Sequence, residues 1–384
     1  MTGKPKEAGG PVRPLPTHRP YFDSTEVDAI AGVLESRWVG KGALTEEFEA
    51  AIRDLVGAKH VLSTNSGTAA LHMALDVLDL RPGDEVLVPS LTYAAPVTMI
   101  VVAGARPVFC DVREETFNID VKDAIARATH RTRAIMPVHY GGLPCDMDAI
   151  VDLARPRGWT VIEDAAHAFG SSYRGRPVGS LSDLTCFSFD PIKNITCGTG
   201  GAICTDDDEV ARRLLPLRNV GIDFGTWRRI GDDSPWHYHV VTHGWRYELH
   251  NLNAALGLAQ LRRLDDYRAR KHQIVRQYDE AFADLEAIAL PHRDLDSTFP
   301  FSYVVRVTDG RRDRLMTHLK ERQVDCTIQF HPNHMQPAFA EFRRPLPVTE
   351  RLSREIVTLP LFFEMTDDDV ALVIDAVRSF WSGA

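Results

Sequence analysis

Residues 184–203 read LTCFSFDPIKNITCGTGGAI: an apolar run, a polar loop carrying Lys193, a glycine-rich turn, and a second apolar run. Two short β-branched or aromatic runs around such a loop predict two strands with a lysine displayed between them. Working outward, the same style recurs upstream. KHVLST, DEVLVPS, RPVFCDV, AIMPVH and TVIEDA alternate with helical patterns between residue 59 and residue 165, and GAICT closes the series. Seven strand candidates alternating with helices predict an α/β domain with a largely parallel sheet. Small or polar residues follow several runs, at Ser63 to Thr68, Pro89 to Tyr93, Asp164 to His167 and Ser188 to Lys193. Ligands of open α/β sheets lie beyond the carboxyl ends of the strands, so these positions are the candidate site.

Three of the segments carry chemistry. HVLSTNSGTAALHMAL (60–75) passes from strand to helix through Asn65-Ser66-Gly67-Thr68. Free amides at a helix start cradle an anion such as phosphate, although a plain helix cap by Ser or Asn reads equally well. In VIEDAAHAFG (161–170) an apolar strand ends in Glu163 and Asp164, followed by His167. Side chains alternate along a strand, so one carboxylate faces the site. Burying it requires a positive partner, such as a protonated heteroaromatic nitrogen. The alternative is a helix-capping aspartate and a core histidine. Lys193, if drawn into a partly desolvated loop, loses proton affinity and becomes a nucleophile; a solvated loop lysine is the alternative reading of that residue by itself.

The order of phosphate turn, aspartate and lysine resembles the fold-type I pyridoxal-phosphate (PLP) enzymes. The stretches PYFDSTEVDAIAGVLESRWVGKG, NSGTAALHMALDVL, GDEVLVPSLTYAA, PVHYGGLPCDMDAI, EDAAHAFGS, FSFDPIKNITCGTGG and LNAALGLAQL are similar to the nucleotide-sugar aminotransferases of DegT/StrS type, over nearly the whole chain. The resemblance implies that Ser66, Gly67, Thr68 and Ser188 hold the cofactor phosphate and that Tyr93 stacks on the ring. It further assigns Asp164 to the ring nitrogen, His167 to the neighbourhood of the phenolic oxygen, and Lys193 to the Schiff base. Relatives that dehydrate sugars carry histidine in place of this lysine, so Lys193 favours transamination. The implied reaction takes nitrogen from L-glutamate, leaves the pyridoxamine phosphate form, and passes the nitrogen to a nucleotide-linked keto-sugar. The lysine segment is similar to relatives that aminate carbon 4 of a dTDP-linked 4-keto-6-deoxyglucose. A 3-keto-sugar or cyclitol aminotransferase, a PLP-dependent dehydratase and a non-enzymatic sensor are the other readings.

The resemblance also implies a homodimer with shared active sites, in which Arg246 of GWRYEL stands where many relatives place an asparagine that reaches the other subunit's phosphate. Glu248 and Thr199 depart from an arginine and an acid common in the family. Weaker substrate candidates are Trp38 in SRWVGKG, Arg228 and Arg229 with Trp227, Trp236 and Tyr238 nearby, and His331 in FHPNHMQPAF. His237, His239, His243 and His334 lack a cysteine set or an HExxH spacing, so no metal site is expected.

Composition bounds the rest. The 384 residues are 44% hydrophobic and 25% charged, enough for one large core and a smaller one. A formal charge of -9 is the wrong sign for binding nucleic acid through the overall field. Six scattered cysteines without a CxxC pair read as reduced, and the absence of a signal or of an 18-residue apolar run points to a cytoplasmic protein away from membranes. Expected domains are a loose N-terminal arm over 1–20, a large α/β domain over 21–248 and a small α+β domain over 249–384. FSYVVRV and QVDCTIQF are its expected strands, and DDDVALVIDAVRSFW its closing helix.

Overall fold

A computed structural model of the chain describes residues 14–223 and 238–382. The strands of the first part are β1 (His60–Thr64), β2 (Glu85–Pro89), β3 (Arg106–Cys110), β4 (Thr132–Ile135), β5 (Thr160–Asp164), the two-residue pair β6 (Ser172–Tyr173) and β7 (Arg176–Pro177), β8 (Leu184–Ser188) and β9 (Gly201–Thr205). Seven of them form one sheet in the order β1-β9-β8-β5-β4-β2-β3. Neighbours from β3 to β8 pair in parallel, whereas β9 runs antiparallel to both β8 and β1. The α/β expectation holds. Every residue of β2, β8 and β9 is buried, as a sheet covered by helices on both faces requires.

Connection length explains the exception. Parallel neighbours need a long crossover, as in residues 165–183 between β5 and β8, whereas β8 returns to β9 through the shorter loop 189–200 and pairs antiparallel, with Ser188 opposite Gly201. The lysine segment is therefore a loop tied at both ends to the sheet. Helices α1 (Ser24–Ser36), α2 (Ala43–Val56), α3 (Gly67–Asp76), α4 (Ala94–Val102), α5 (Val121–Arg127), α6 (Met147–Ala154) and α7 (Asp208–Arg218) pack around it. In α3, Ser66 caps the first turn by accepting from the Ala69 amide at 3.1 Å, and Ala69 to Leu75 are all buried.

Helices α8 (Asn251–Leu261) and α9 (Leu264–Phe282) lead to the second core. Leu264 and Tyr267 join the large core, while Ile274, Val275, Tyr278 and Phe282 join the small one. The cores thus change hands inside α9, later than the boundary expected at residue 249. The reason is that α8 lies against α1 and α2. The small sheet is β10 (Ile288–Ala289), β11 (Tyr303–Val307) and β12 (Ile356–Leu359), antiparallel in that order, covered by α10 (Arg312–Glu321), α11 (Pro347–Glu355) and the expected closing helix α12 (Asp367–Ser382).

Two expectations fail here. QVDCTIQF is not a strand: Val324 pairs with Leu15, Thr327 touches the β12 edge at Thr358, and the segment then leaves the sheet. The IVTL run of β12 takes the place assigned to it, because alternation shows that a segment can pair but not which edge is open to it. The start of the chain also differs from a loose arm from residue 14 onward. Leu15 bonds Gln323 and Asp325, and Thr17 accepts from Leu361 at 3.0 Å. Those bonds bring His18 onto the ring of Phe301, 5.0 Å between centroids.

Candidate active site

Beyond the carboxyl ends of the strands lies a cleft of about 280 Å³, lined by Ser66, Gly67, Thr68, Thr92, Tyr93, Asp164, His167, Ser188, Lys193 and Thr199, with Phe301, Gln329 and Phe330 opposite. A larger groove of about 440 Å³ near Trp159 and Arg176 gathers none of these groups, so volume does not identify the site. All eight residues assigned to the cofactor within one subunit meet in the smaller cleft.

Its anion end is built by the start of α3. The Gly67 and Thr68 amides have no partner within the helix, since the first turn never does. Gly67 is pressed against the sheet: a Cβ there would lie 2.7 Å from Ser188 Cβ. Gly201 meets the same turn from the other side, where a Cβ would lie 2.5 Å from Ser66 O. Two glycines therefore let the start of α3 pack closely against the end of β8 and the start of β9. Sequence reading found Gly67 and missed Gly201, whose only signal was its place in CGTGG.

Alternation separates the two carboxylates of β5. Glu163 turns to the closed face, accepting from His139 Nε2 at 2.7 Å, Ser182 Oγ at 2.6 Å and Thr185 Oγ1 at 2.8 Å. His139 Nδ1 accepts from the Cys145 amide, which leaves the ring proton on Nε2 for Glu163. Asp164 turns into the cleft, where one oxygen accepts from the Ala166 amide at 3.1 Å. Burial raises the Asp164 carboxyl above its ordinary range, against the opposing pull of Lys193. Its backbone is locked by bonds to Pro137, His139 and the Ala165–Cys186 pair.

Lys193 is strongly altered by its setting. Burial lowers its ammonium to about 8, with Asp164 and Asp190 pulling the other way. Its Nζ lies 4.5 Å from the centre of the Phe301 ring. The loop is pinned on both flanks: Asn194 Nδ2 donates to Phe299 O, Lys271 Nζ donates to Asn194 Oδ1 at 2.9 Å, and Asn253 Nδ2 donates to Cys197 O at 2.7 Å. Thr199, the departure noted above, donates to Asn65 O at 3.0 Å and so ties the lysine loop to the phosphate turn. Lys271 is itself buried, and desolvation lowers it to about 7.

His167 stacks on Phe301 at 4.1 Å and 11°, with Phe330 parallel at 5.7 Å. Its Nδ1 is buried without a protein partner, and burial holds the ring neutral. Tyr93 stands at the start of α4, largely exposed, with its ring 6.1 Å from Phe330. The aromatic wall of Phe301 and Phe330 escaped sequence reading, because neither residue belongs to a strand-end turn.

Of the remaining candidates, those among the described residues do not line this cleft. Arg246 points to solvent beside Asn219 Oδ1 (3.1 Å) and Glu248 (3.6 Å). Trp38 donates its indole N–H to Lys41 O, and His331 is exposed. Trp227, Arg228, Arg229, Trp236 and His237 fall outside the described residues. Among the described residues no cluster of three or more His, Cys, Asp or Glu side chains could hold a metal, and no helix is long and apolar enough to cross a membrane.

These groups fit pyridoxal phosphate: an amine of lowered proton affinity for its aldehyde, a buried carboxyl in want of a cationic ring nitrogen, an unpartnered imidazole nitrogen for its hydroxyl, and a glycine-backed cradle for its phosphate. Comparison with known proteins agrees. The chain is 38% identical over 380 residues to the spore coat polysaccharide biosynthesis protein SpsC of Bacillus subtilis, covering 96% of this chain and 98% of that one. It superposes on the sugar aminotransferase CalS13 from Micromonospora echinospora with a TM-score of 0.88, at 29% identity, covering 96% of this chain and all of that one. The PLP form of Spr1654 from Streptococcus pneumoniae gives a TM-score of 0.89 at 26% identity, covering 96% of this chain and 99% of that one. Residues 20–378 match the model of the DegT/DnrJ/EryC1/StrS aminotransferase family. The chain belongs to that family, and it is a pyridoxal-phosphate-dependent transaminase.

Proposed function

We propose that the enzyme moves an amino group from L-glutamate to a nucleotide-linked keto-sugar, dTDP-4-keto-6-deoxy-D-glucose aminated at carbon 4 being the first substrate to test. The observation that carries the reading is the meeting of Lys193, Asp164 and the Gly67–Ser188 cradle in one cleft. Sugar chemistry is supported by the relatives named above, and carbon 4 by the FSFDPIKNITCGTGG segment.

When bound, the cofactor supplies an electron sink for a carbanion at the amino-bearing carbon. The residues supply the rest. Asp164 keeps a proton on the ring nitrogen by pairing with the resulting cation, which offsets the cost of its own burial. Lys193 Nζ holds the cofactor covalently and, as the free amine, takes and returns the proton of the substrate carbon. The amides of Gly67 and Thr68, with Ser188, anchor the phosphate. Tyr93 shields one face of the ring, and His167 holds the hydroxyl.

Arg246 serves the neighbouring subunit in this reading, since its side chain is exposed and does not line its own cleft. A symmetric homodimer follows; an active monomer in light scattering would contradict it. Incubating enzyme and glutamate with a panel of keto-sugar nucleotides, then weighing the products by mass spectrometry, tests the substrate. Amination of a 3-keto-sugar or a cyclitol and not of a 4-keto-sugar would replace the carbon-4 reading with that alternative.

A further inference from the structure

Tyr93 presents a problem of support. It begins α4 without any side-chain capping bond, and among the described residues its ring has one aromatic neighbour, Phe330. The ring is largely exposed, so where it points depends on its backbone. That backbone is held from a distant part of the chain. Asn333 is buried at 2% exposure, and its Nδ2 lies 2.8 Å from Thr92 O, 3.3 Å from Ser90 O and 3.4 Å from Tyr93 O. Three carbonyl oxygens around one end of the amide leave no choice about which end donates. The Asn333 backbone amide adds a bond to Ser90 O at 2.9 Å.

The next residue secures the same turn. The His334 amide donates to Ser90 Oγ at 2.9 Å, so that hydroxyl turns its own proton to His334 Nδ1 at 2.7 Å. The ring's other nitrogen faces Glu350 at 3.3 Å. Phe330, whose ring neighbours Tyr93, lies three residues before Asn333. Residues 330–334 therefore meet Tyr93 at both its backbone and its ring.

We infer that Asn333 is a positioning residue for the cofactor: it sets Tyr93 at the angle needed to cover the ring, acting through the Thr92–Tyr93 peptide rather than by contact. The inference rests on the reading of Tyr93 as the stacking residue. An apolar side chain of the same size would take the nearest donor from the buried Thr92 O, whereas Ser90 O would keep the Asn333 backbone amide, and the turn would shift to recover the lost bond.

The test is a double-mutant cycle read as cofactor affinity, by titrating apoenzyme with PLP and following the absorbance of the bound form. Asn333→Leu weakens binding about tenfold when Tyr93 is present, the scale of one lost buried donor, and less than about twofold in a Tyr93→Ala background. Asn333→Ser, which keeps a donor, recovers part of the loss and serves as the second variant if Asn333→Leu does not fold. Equal losses in the two backgrounds would make Asn333 a purely structural strut and overturn the inference. So would unchanged affinity in Asn333→Leu. If Tyr93→Ala alone leaves affinity unchanged, the stacking role of Tyr93 falls and the inference falls with it, whereas the assignments of Lys193 and Asp164 stand.

Discussion

The floor and the far wall of the cleft are built by different rules. The floor consists of strand ends and the turns after them: Gly67, Asp164, Ser188 and Lys193 each follow an apolar run by one or a few residues. The far wall is Phe301, Gln329 and Phe330, from segments about a hundred or more residues later whose own local structure is a bend or a loop. Chemistry sits on the floor, where the sheet holds backbone positions rigidly. The wall supplies shape, apolar surface and support.

Removing a floor group should therefore cost far more than trimming the wall. Lys193→Ala is expected to abolish turnover and to leave no cofactor attached after borohydride reduction; full turnover in that variant would end the assignment. The lysine must also be unprotonated to capture the cofactor. Because its ammonium is lowered to about 8, covalent capture of PLP by apoenzyme should rise about tenfold per pH unit below that value and level off above it. The same lowering means that the unfolded chain binds the proton more tightly between about 8 and 10.5, so this group adds stability as pH rises through that window.

The neighbouring carboxylates offer a sharper contrast. Asp164→Asn should lower kcat by about 10²–10³-fold, as loss of a preorganised electrostatic partner does. Glu163→Gln, one residue away, should leave kcat near normal and instead cost about 1–3 kcal/mol of stability, by setting an amide donor among Ser182, Thr185 and His139. Gly67→Ala pushes a methyl into Ser188, and at about 1–3 kcal/mol of strain should weaken PLP roughly 5- to 150-fold. On the wall, Phe330→Ala removes ring contacts to His167 and Tyr93 worth about 0.5–1.5 kcal/mol, seen as a rise in KM larger than any fall in kcat. A wall variant more damaging than Asp164→Asn would reverse the comparison.

Legibility followed the same division. The seven strands and the floor segments could be read because apolar runs, Gly67 and the acidic pair are local signals; the expected run of β4 overshot most, to His139 against an end at Ile135, and those of β3 and β8 by two residues each. Alternation left open which of Glu163 and Asp164 faces the site, since that depends on which side of β5 the cleft lies, and the family resemblance assigned Asp164. FHPNHMQPAF drew attention through His331, yet His331 is exposed while Asn333 and His334 face the β2–α4 turn. Spacing in a loop carries no fixed periodicity, so orientation there follows from packing alone.

By itself the sequence determined the α/β alternation, the strand-to-helix turn at Asn65 to Thr68, the acidic strand end and the lysine between β8 and β9, because each is a short-range consequence of side-chain pattern and turn chemistry. Only the tertiary structure decided that Thr199 ties the lysine loop to the turn before α3, that residues 14–18 bond to the 323–325 segment and to Leu361 and bring His18 onto Phe301, and that Asn333 holds the Tyr93 turn. Those contacts join residues far apart in the chain. They exist only once the cores have folded and set those segments side by side.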